Sequence, residues 1–363
     1  MRSKKMILMI VLVITAGLSA ACSGGSQSGK GDTGETKQTA EATRDKDAEF
    51  KVLSSEYALP FEPSTTLDKD QLYLQIKVSI KNTGKKPFEV DPEYFNLYQD
   101  DVKVKNIEAE DKERLGYMSL NAGRSVEGNI YFLVDKGKKY QLSYTLDDID
   151  TLKKIPFDVA EIDGNKIMDT ADHLQDPAKA LLGYTDVTIY GKDNPDFEKL
   201  TGENKRQVAE DYEASYRKKL ISDLGYDYDT DAVDQKKLNE YIKAAQQTFR
   251  EKTKVKAVTK SISYDEATIE ATITRLDMSD FEDRVKESLD QFVKNSKKDE
   301  LSKKELFNPT IDIMIKELKK LEQVSSKKAV KVTIQRTEDG KWQLNLQEGE
   351  GEEYFSSLIK SES

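Results

Sequence analysis

The segment "QLYLQIKVSIKN" (71–82) sets apolar side chains at Leu72, Leu74, Ile76, Val78 and Ile80, alternating with Tyr73, Gln75, Lys77 and Ser79. A period of two puts one set on one face of an extended chain, so this stretch must be a half-buried strand that needs partners and a covering layer. "NTGKKP" follows it with turn chemistry. Further strand-like runs are "FEV", "YFNLY", "VKVKNI", "SVEGNIYFLV" and "YQLSYTL", with Ile130, Phe132 and Val134 and then Tyr140, Leu142 and Tyr144 alternating again. Turns fall between them at "YQDD", "NAGR" and "DKGKK". Short strands at this spacing, without helical periodicity, predict an antiparallel β-sandwich over residues 50–146.

Beyond it the period changes. Residues 147–175 read as an interdomain segment with room for one more strand at "IPFDV". Asp176-Pro177 has the chemistry of a helix start. Val208, Tyr212, Tyr216 and Leu220 then climb one helix face, and Leu238, Tyr241, Ile242, Ala245 and Phe249 another. Ala267, Ile269, Ala271 and Ile273 alternate as a strand. Helices follow with Phe281, Val285, Leu289 and Phe292, and, from a start at Asn308-Pro309, with Ile311, Ile315 and Leu318. Val330, Val332 and Ile334 meet Trp342, Leu344 and Leu346 across "TEDGK", an Asp-Gly hairpin signal. The order predicts an α+β domain over 176–347, with helices packed on two antiparallel hairpins that share a sheet. The fold class is therefore mixed. The remainder, 348–363, is an acidic tail that either stays disordered or docks back as a short helix through Tyr354, Phe355, Leu358 and Ile359.

The start of the chain gives its address. Arg2, Lys4 and Lys5 precede a thirteen-residue apolar run from Met6 to Leu18, the proportions of a signal peptide rather than a transmembrane span. Ser19, Ala20 and Ala21 lead into Cys22, the one cysteine in 363 residues. The stretch resembles a bacterial lipobox, with Ser19 where the pattern usually has an aliphatic residue and Leu18 one earlier. That resemblance implies removal of residues 1–21, acylation of Cys22 (diacylglycerol on its sulfur, palmitate among the chains), and a lipid-anchored place on the extracytoplasmic face of the cell membrane. An acylated Cys22 leaves no thiol for disulfides, metals or redox work, so packed cores must supply the stability. Ser23 to Glu49 contains no Val, Ile, Leu, Met or aromatic residue. Such a segment cannot offset its ordering entropy; as a flexible coil it spans roughly 30 Å, so 22–49 reads as lipidated cysteine and disordered tether.

Charge excludes some partners. Without residues 1–21 the chain has 54 Lys and Arg against 67 Asp and Glu, a net of −13. That balance opposes nucleic acid and bulk attraction to anionic lipid or wall polymer.

Two resemblances extend this reading. "LYLQIKVSIKNTGKKPFEVDPEYFNLYQDD" with "LNAGRSVEGNIYFLV" is similar to the telokin-like, immunoglobulin-type domains of bacterial surface lipoproteins, on the long alternating strand, the "N-T-G" turn, the "P-E-Y-F" stretch and the late "G-x-x-x-x-G-x-I-x-F" strand. It implies a non-catalytic extracellular module. From "ALLGYTDVTIYGKDNPDFEKL" to "GKWQLNLQ" the chain resembles a domain of Gram-positive lipoproteins that a telokin-like domain often precedes, and no site residue comes with that resemblance. A looser similarity to cystatin-like or NTF2-like sheets rests on "DGKW" alone.

Candidate chemistry is sparse. Asp227, Asp229 and Asp231 open like a calcium loop, which needs oxygen ligands at alternating positions, but Ala232 stands where the sharp turn needs glycine and Leu238 where the bidentate glutamate belongs. The alternative is an acidic cap for a helix beginning near Val233. His173 is the one histidine, flanked by Asp172 and Asp176, so any imidazole-based triad or metal site must use it; no G-x-S-x-G elbow supplies a nucleophile. The three S-x-x-K pairs (Ser215/Lys218, Ser325/Lys328, Ser357/Lys360) lack the S-D-N and K-T-G elements that would make them catalytic. No phosphate-binding or dinucleotide motif is present, so neither nucleotide nor other cofactor is expected. Carboxylate pairs for glycoside hydrolysis are available in any chain this acidic, yet Trp342, the one tryptophan, reads as core. Tyr226 and Tyr228 are the candidates for an interaction patch. The expectation is a non-enzymatic, lipid-anchored surface protein that binds a protein or cell-envelope partner. The alternatives are a solute-binding lipoprotein of a transporter, against which the segregation of strands from helices argues, and a hydrolase of unfamiliar type.

Overall fold

The computed structural model describes residues 43–44, 47–109, 111–148, 153–227, 230–263, 265–296, 301–324, 327–346 and 349–361. Cys22, Tyr228, Asp229 and Ser325 lie outside them. The described chain forms two compact units: the residues up to Asp176 together with Thr259–Ala267, and Pro177–Val258 together with the residues from Thr268 onward.

The first unit contains β1 (Thr43–Arg44), β2 (Ala48–Ala58), β3 (Gln71–Asn82), β4 (Phe88–Val90), β5 (Phe95–Gln99), β6 (Val102–Lys103), β7 (Asn106–Ile107), β8 (Met118–Leu120), β9 (Ser125–Asp135), β10 (Lys139–Asp148), β11 (Lys153–Asp163) and the short helix α1 (Met168–His173). One sheet runs β1-β2-β3-β9-β7 and a second β11-β10-β5-β6, with β4-β8 as a separate pair; the registers are antiparallel throughout. Leu74, Ile76, Val78 and Ile80 of β3 are buried in one cluster with Phe95 and Leu97 of β5 and Tyr140, Leu142 and Tyr144 of β10. Alternation along each strand thus feeds a single core between two sheets, the expected sandwich.

Local chemistry pins the turns. Asn82, fully buried, donates from Nδ2 to the carbonyls of Lys86 (2.9 Å) and Leu120 (2.7 Å), and its Oδ1 accepts from Gly84 N at 2.9 Å, which fixes the "N-T-G" turn. "P-E-Y" is a 3₁₀ turn capped by Asp91, whose carboxylate accepts from Glu93 N at 2.8 Å. The strand motif ending in Phe132 needs its second glycine because another backbone passes over it. A Cβ on Gly128 would stand 2.6 Å from Leu115 Cα, where Leu115 N donates to Asn129 O at 2.9 Å. Beside this crossing the Asp111 carboxylate accepts from Asn129 Nδ2 at 2.7 Å and from the Tyr131 hydroxyl.

Two boundaries move. Thr43–Arg44 pair with β2 and Ala48 is wholly buried, so 43–44 and 48–49 belong to the sheet and not to the expected tether. Residues 153–163, expected within an interdomain segment, form β11 along the full length of β10. The strand allowed for at "IPFDV" is present and longer than that run, pairing with its chain neighbour β10 as a hairpin.

The second unit begins with α2 (Asp176–Tyr184), whose end relaxes into a π-helical turn over Thr185–Ile189, then α3 (Phe197–Thr201), α4 (Lys205–Asp223) and α5 (Gln235–Lys252). Next come β12 (Lys254–Ile262), β13 (Glu266–Thr274), β14 (Leu276–Asp277), α6 (Phe281–Asn295) and α7 (Lys303–Lys319). The chain closes with β15 (Glu322–Gln323), β16 (Lys328–Arg336), β17 (Trp342–Gln343), α8 (Glu350–Ser356) and β18 (Ile359–Lys360). The two expected hairpins do share a sheet, ordered β12-β13-β16-β17, and β15-β14-β18 makes a second, smaller one. Among the described residues no helix is long and apolar enough to cross a membrane.

Two details differ from the sequence reading. Helix α7 starts at Lys303, not at Asn308-Pro309: Ser302 and Glu305 form a capping box, and Pro309 sits inside the helix. A reciprocal cap satisfies two backbone N–H groups at once and outweighs the local pull of the Asn-Pro pair. The helix after the acidic stretch is capped by Asp234, whose Oδ1 accepts from Lys236 N (2.9 Å) and Lys237 N (3.2 Å), rather than by Asp227 or Asp231. Of the two readings of the acidic tail, the docked short helix is the one observed: α8 buries Tyr354 and Phe355, and Leu358 follows them inside.

Candidate functional site

Helices α4 and α5 and the π-helical turn border a small recess of about 30 Å³, room for about two water molecules. The turn arises where the Tyr190 N–H reaches back five residues to Thr185 O at 3.0 Å. Such single π turns widen a helix locally and recur at functional sites. Here the widening sets Thr188 and Ile189 at one side of the recess, while Ile242, Ala245 and Phe249 of α5 and Tyr212 and Tyr216 of α4 make the rest of its apolar wall. Burial pushes the hydroxyls of both tyrosines upward in pKa, so both rings stay neutral.

The polar end is built from two residues. Gln246 Nε2 donates to Glu213 Oε1 at 3.2 Å and lies 3.5 Å from Thr188 O, so one amide links α5 to α4 and to the π turn. Gly191 fits against that amide with φ +54°, and a Cβ there would stand 2.5 Å from Gln246 Oε1. Glu213 is the one charged side chain lining the recess, and no Lys, Arg or His among the described residues forms an ion pair with it. The floor is anchored nearby: Thr185 Oγ1 and the buried Tyr354 hydroxyl are 2.7 Å apart, and the Tyr190 hydroxyl is 2.9 Å from Thr253 Oγ1. Elsewhere in this unit burial pushes the Glu203 carboxyl up in pKa, against the pull of the hydrogen bond that the Tyr184 hydroxyl donates to it.

The residues singled out in the sequence lie apart from this recess. Tyr226, expected on an interaction patch, is a core residue, 7% exposed. Its hydroxyl donates to Lys303 O at 2.9 Å and its ring meets Phe307 edge-on at 5.1 Å. The correction has a simple cause, because the turn after α4 folds inward onto α7. Asp227 is exposed and accepts from Ser222 Oγ at 3.2 Å; Asp231 is exposed. Among the described residues no three His, Cys, Asp or Glu side chains converge as metal ligands would. His173 is exposed, with Nδ1 2.7 Å from Asp176 Oδ2. Ser215 and Lys218 share α4; Ser357 is buried and donates to Tyr354 O, while Lys360 reaches Asp277. Trp342 is buried, as its alternation partners imply. Sequence reasoning caught Tyr212, Tyr216, Ile242, Ala245 and Phe249 as helix faces. It missed Glu213 and Gln246, because one more acid on a charged helix carries no mark and a π turn has no sequence signature.

Comparison with known proteins agrees with this architecture. A family described as a domain of unknown function, DUF5105, matches residues 167–359, and a second domain of unknown function, DUF4352, matches residues 38–154. The Bacillus subtilis (strain 168) protein named "Uncharacterized lipoprotein YcdA" is 36% identical over 99% of this chain and 100% of its own length. The crystal structure of YcdA superposes with a TM-score of 0.73 at 37% identity, covering 88% of this chain and 98% of that one. The yjhA protein of Bacillus subtilis, 20% identical over 33% of this chain and 96% of its own, gives a TM-score of 0.26, too low to carry an argument. The resemblance to bacterial lipoproteins with an N-terminal sandwich module is thereby met. The chain belongs to the DUF5105 family, and to the same family of lipoproteins as Bacillus subtilis YcdA.

Proposed function

We propose that this lipoprotein is held by acyl chains on Cys22 to the extracytoplasmic face of the cell membrane and acts there by binding a protein or envelope partner, without catalysis. The observation that carries the reading is the place of the one cysteine, at the seam between a basic-apolar leader and a polar segment, in a chain whose full-length relative is a lipoprotein. A telokin-like sandwich is a recognition module by resemblance. Among the described residues, exposed His173 is held by Asp176, and buried Ser357 donates to Tyr354 O.

Two measurements test it. Replacing Cys22 by Ala should abolish incorporation of labelled palmitate and release the chain from the membrane fraction; retention of both would sink the anchoring. Cross-linking the lipidated protein on intact cells, followed by mass spectrometry, should then yield one dominant protein partner. A transporter subunit in that position would move the reading to a solute-binding lipoprotein, and turnover of an envelope substrate abolished by a single substitution would replace binding by catalysis.

A further inference from the structure

The outward face of the β4-β8 pair holds an aromatic ring in water. Across these strands Glu89 pairs with Ser119 and Val90 with Met118. Val90 and Leu120 turn into the core, so Glu89 and Ser119 turn out, and Tyr117, two residues before Ser119, lies on their side. Its ring is 68% exposed, the highest value for a large apolar or aromatic side chain among the described residues. A hydrogen bond to the Glu89 carboxylate raises the pKa of the Tyr117 hydroxyl, and Tyr94 and Asp91 are near enough to push it the same way. Among the described residues no Lys, Arg or His forms an ion pair with Glu89 or Asp91. We propose that this face receives the protein partner, through an extended, arginine-bearing segment of that partner. The inference rests on the partner reading and adds to it a place and a chemistry.

Charge selects a basic segment, because two carboxylates without a cation attract it and repel an acidic one. Spacing selects an extended one. Asp91 continues the extended backbone of β4 (φ −135°, ψ 126°), which sets it about 6.8 Å from Glu89 along the strand. Side chains at i and i+2 of an extended peptide repeat at the same interval and point the same way. The ring selects arginine: a guanidinium can stack on Tyr117 and offer its planar fork to a carboxylate, whereas an ammonium is a point charge. The face has no walls, and a single exposed ion pair is worth little, so a segment making several contacts suits it better than a small cation. The platform is also rigid. The buried Tyr144 hydroxyl donates to Glu89 O at 3.4 Å and accepts from Asp91 N at 3.5 Å, and Asn106 Nδ2 donates to Pro92 O at 3.2 Å. Backbone held in this way has little ordering left to lose on binding.

The probe is a fluorescein-labelled peptide, Gly-Arg-Gly-Arg-Gly-Arg-Gly, beside the same peptide with lysine or with uncharged citrulline in place of arginine. Binding to the full-length lipidated chain in neutral maltoside micelles would be read by fluorescence anisotropy against empty micelles. The arginine peptide should bind about fivefold tighter than either of the others, or better. Glu89→Gln and Tyr117→Ala should each weaken it by about fivefold, with the melting temperature showing each variant folded. A chain with Glu287→Gln and Asp290→Asn loses two exposed acids from α6, in the other unit, and should bind like wild type, which separates this face from bulk attraction. No binding, equal binding of the lysine or citrulline peptide, or the same loss in the α6 variant as in Glu89→Gln would each overturn the proposal. On cells, a partner cross-linked equally to wild type and to Tyr117→Ala would overturn this surface and leave the partner reading intact, whereas the absence of any captured partner would overturn both.

Discussion

Asp111 is drawn two ways. Desolvation pushes its pKa up, but hydrogen bonds from Asn129, Tyr131 and the Glu113 N–H, with the nearby Lys77, outweigh that and hold the carboxyl below the usual aspartate range. A depressed folded-state pKa stabilises above the unfolded value of about 4 and loses that contribution as pH falls through the lower folded value. Asp111→Asn should therefore lower the melting temperature of the first unit at pH 7, and the gap to wild type should close as pH drops toward 3. Tyr131→Phe removes one buried donor and should cost about 1–2 kcal/mol at neutral pH by denaturant titration. Gly128→Ala should be harsher, about 3 kcal/mol or more, since the clash at 2.6 Å is with backbone that cannot swing aside. At this scale the sequence was partly legible. The motif around Gly128 marked a special strand without saying that Leu115 crosses it, and Glu213 was one of 67 acids with nothing to single it out. Tyr226 misled because amphipathic residues in a polar turn read the same whether the turn faces water or α7.

Among the elements, those with a strong period were predictable in full and the others only in part. Strands β3, β9 and β10 followed from alternation alone, as did the buried faces of α5 and α6. Strand β11 was marked only at "IPFDV", short of its full length, and α7 was started late because Pro309 imitates a helix beginning. That reading has a test: Ser302→Ala should cost about 1 kcal/mol through loss of the capping box, whereas an Asn308→Ala change should leave the helix start in place. The tail offers a larger effect. Phe355 is 2% exposed and meets Tyr212 edge-on at 5.7 Å, so Phe355→Ala should cost about 3–5 kcal/mol and disturb the wall of the recess as well. An unchanged denaturation midpoint would show that α8 contributes little to the second unit.

The molecule as a whole rests on two cores and no disulfide. Two cores give two cooperative transitions rather than one, and calorimetry should separate them. Leu74→Ala, in the sandwich core, should lower one transition, and Phe307→Ala, in the helical unit, the other; both residues are fully buried. Two domains of these classes were readable from the change of hydrophobic period near Asp176. Their discontinuity was not, because a hairpin pattern at 254–274 says nothing about which body its turn joins. That discontinuity matters beyond equilibrium. Residues 259–267 complete the first unit, and within it Ile262 N donates to Pro60 O at 3.2 Å. A ribosome delivers the chain from its N-terminus, so this last segment joins only after residue 267 has emerged, although the apolar core of the sandwich is made within residues 48–167. The sandwich can therefore close its own core first, and the late segment is added to a body already formed.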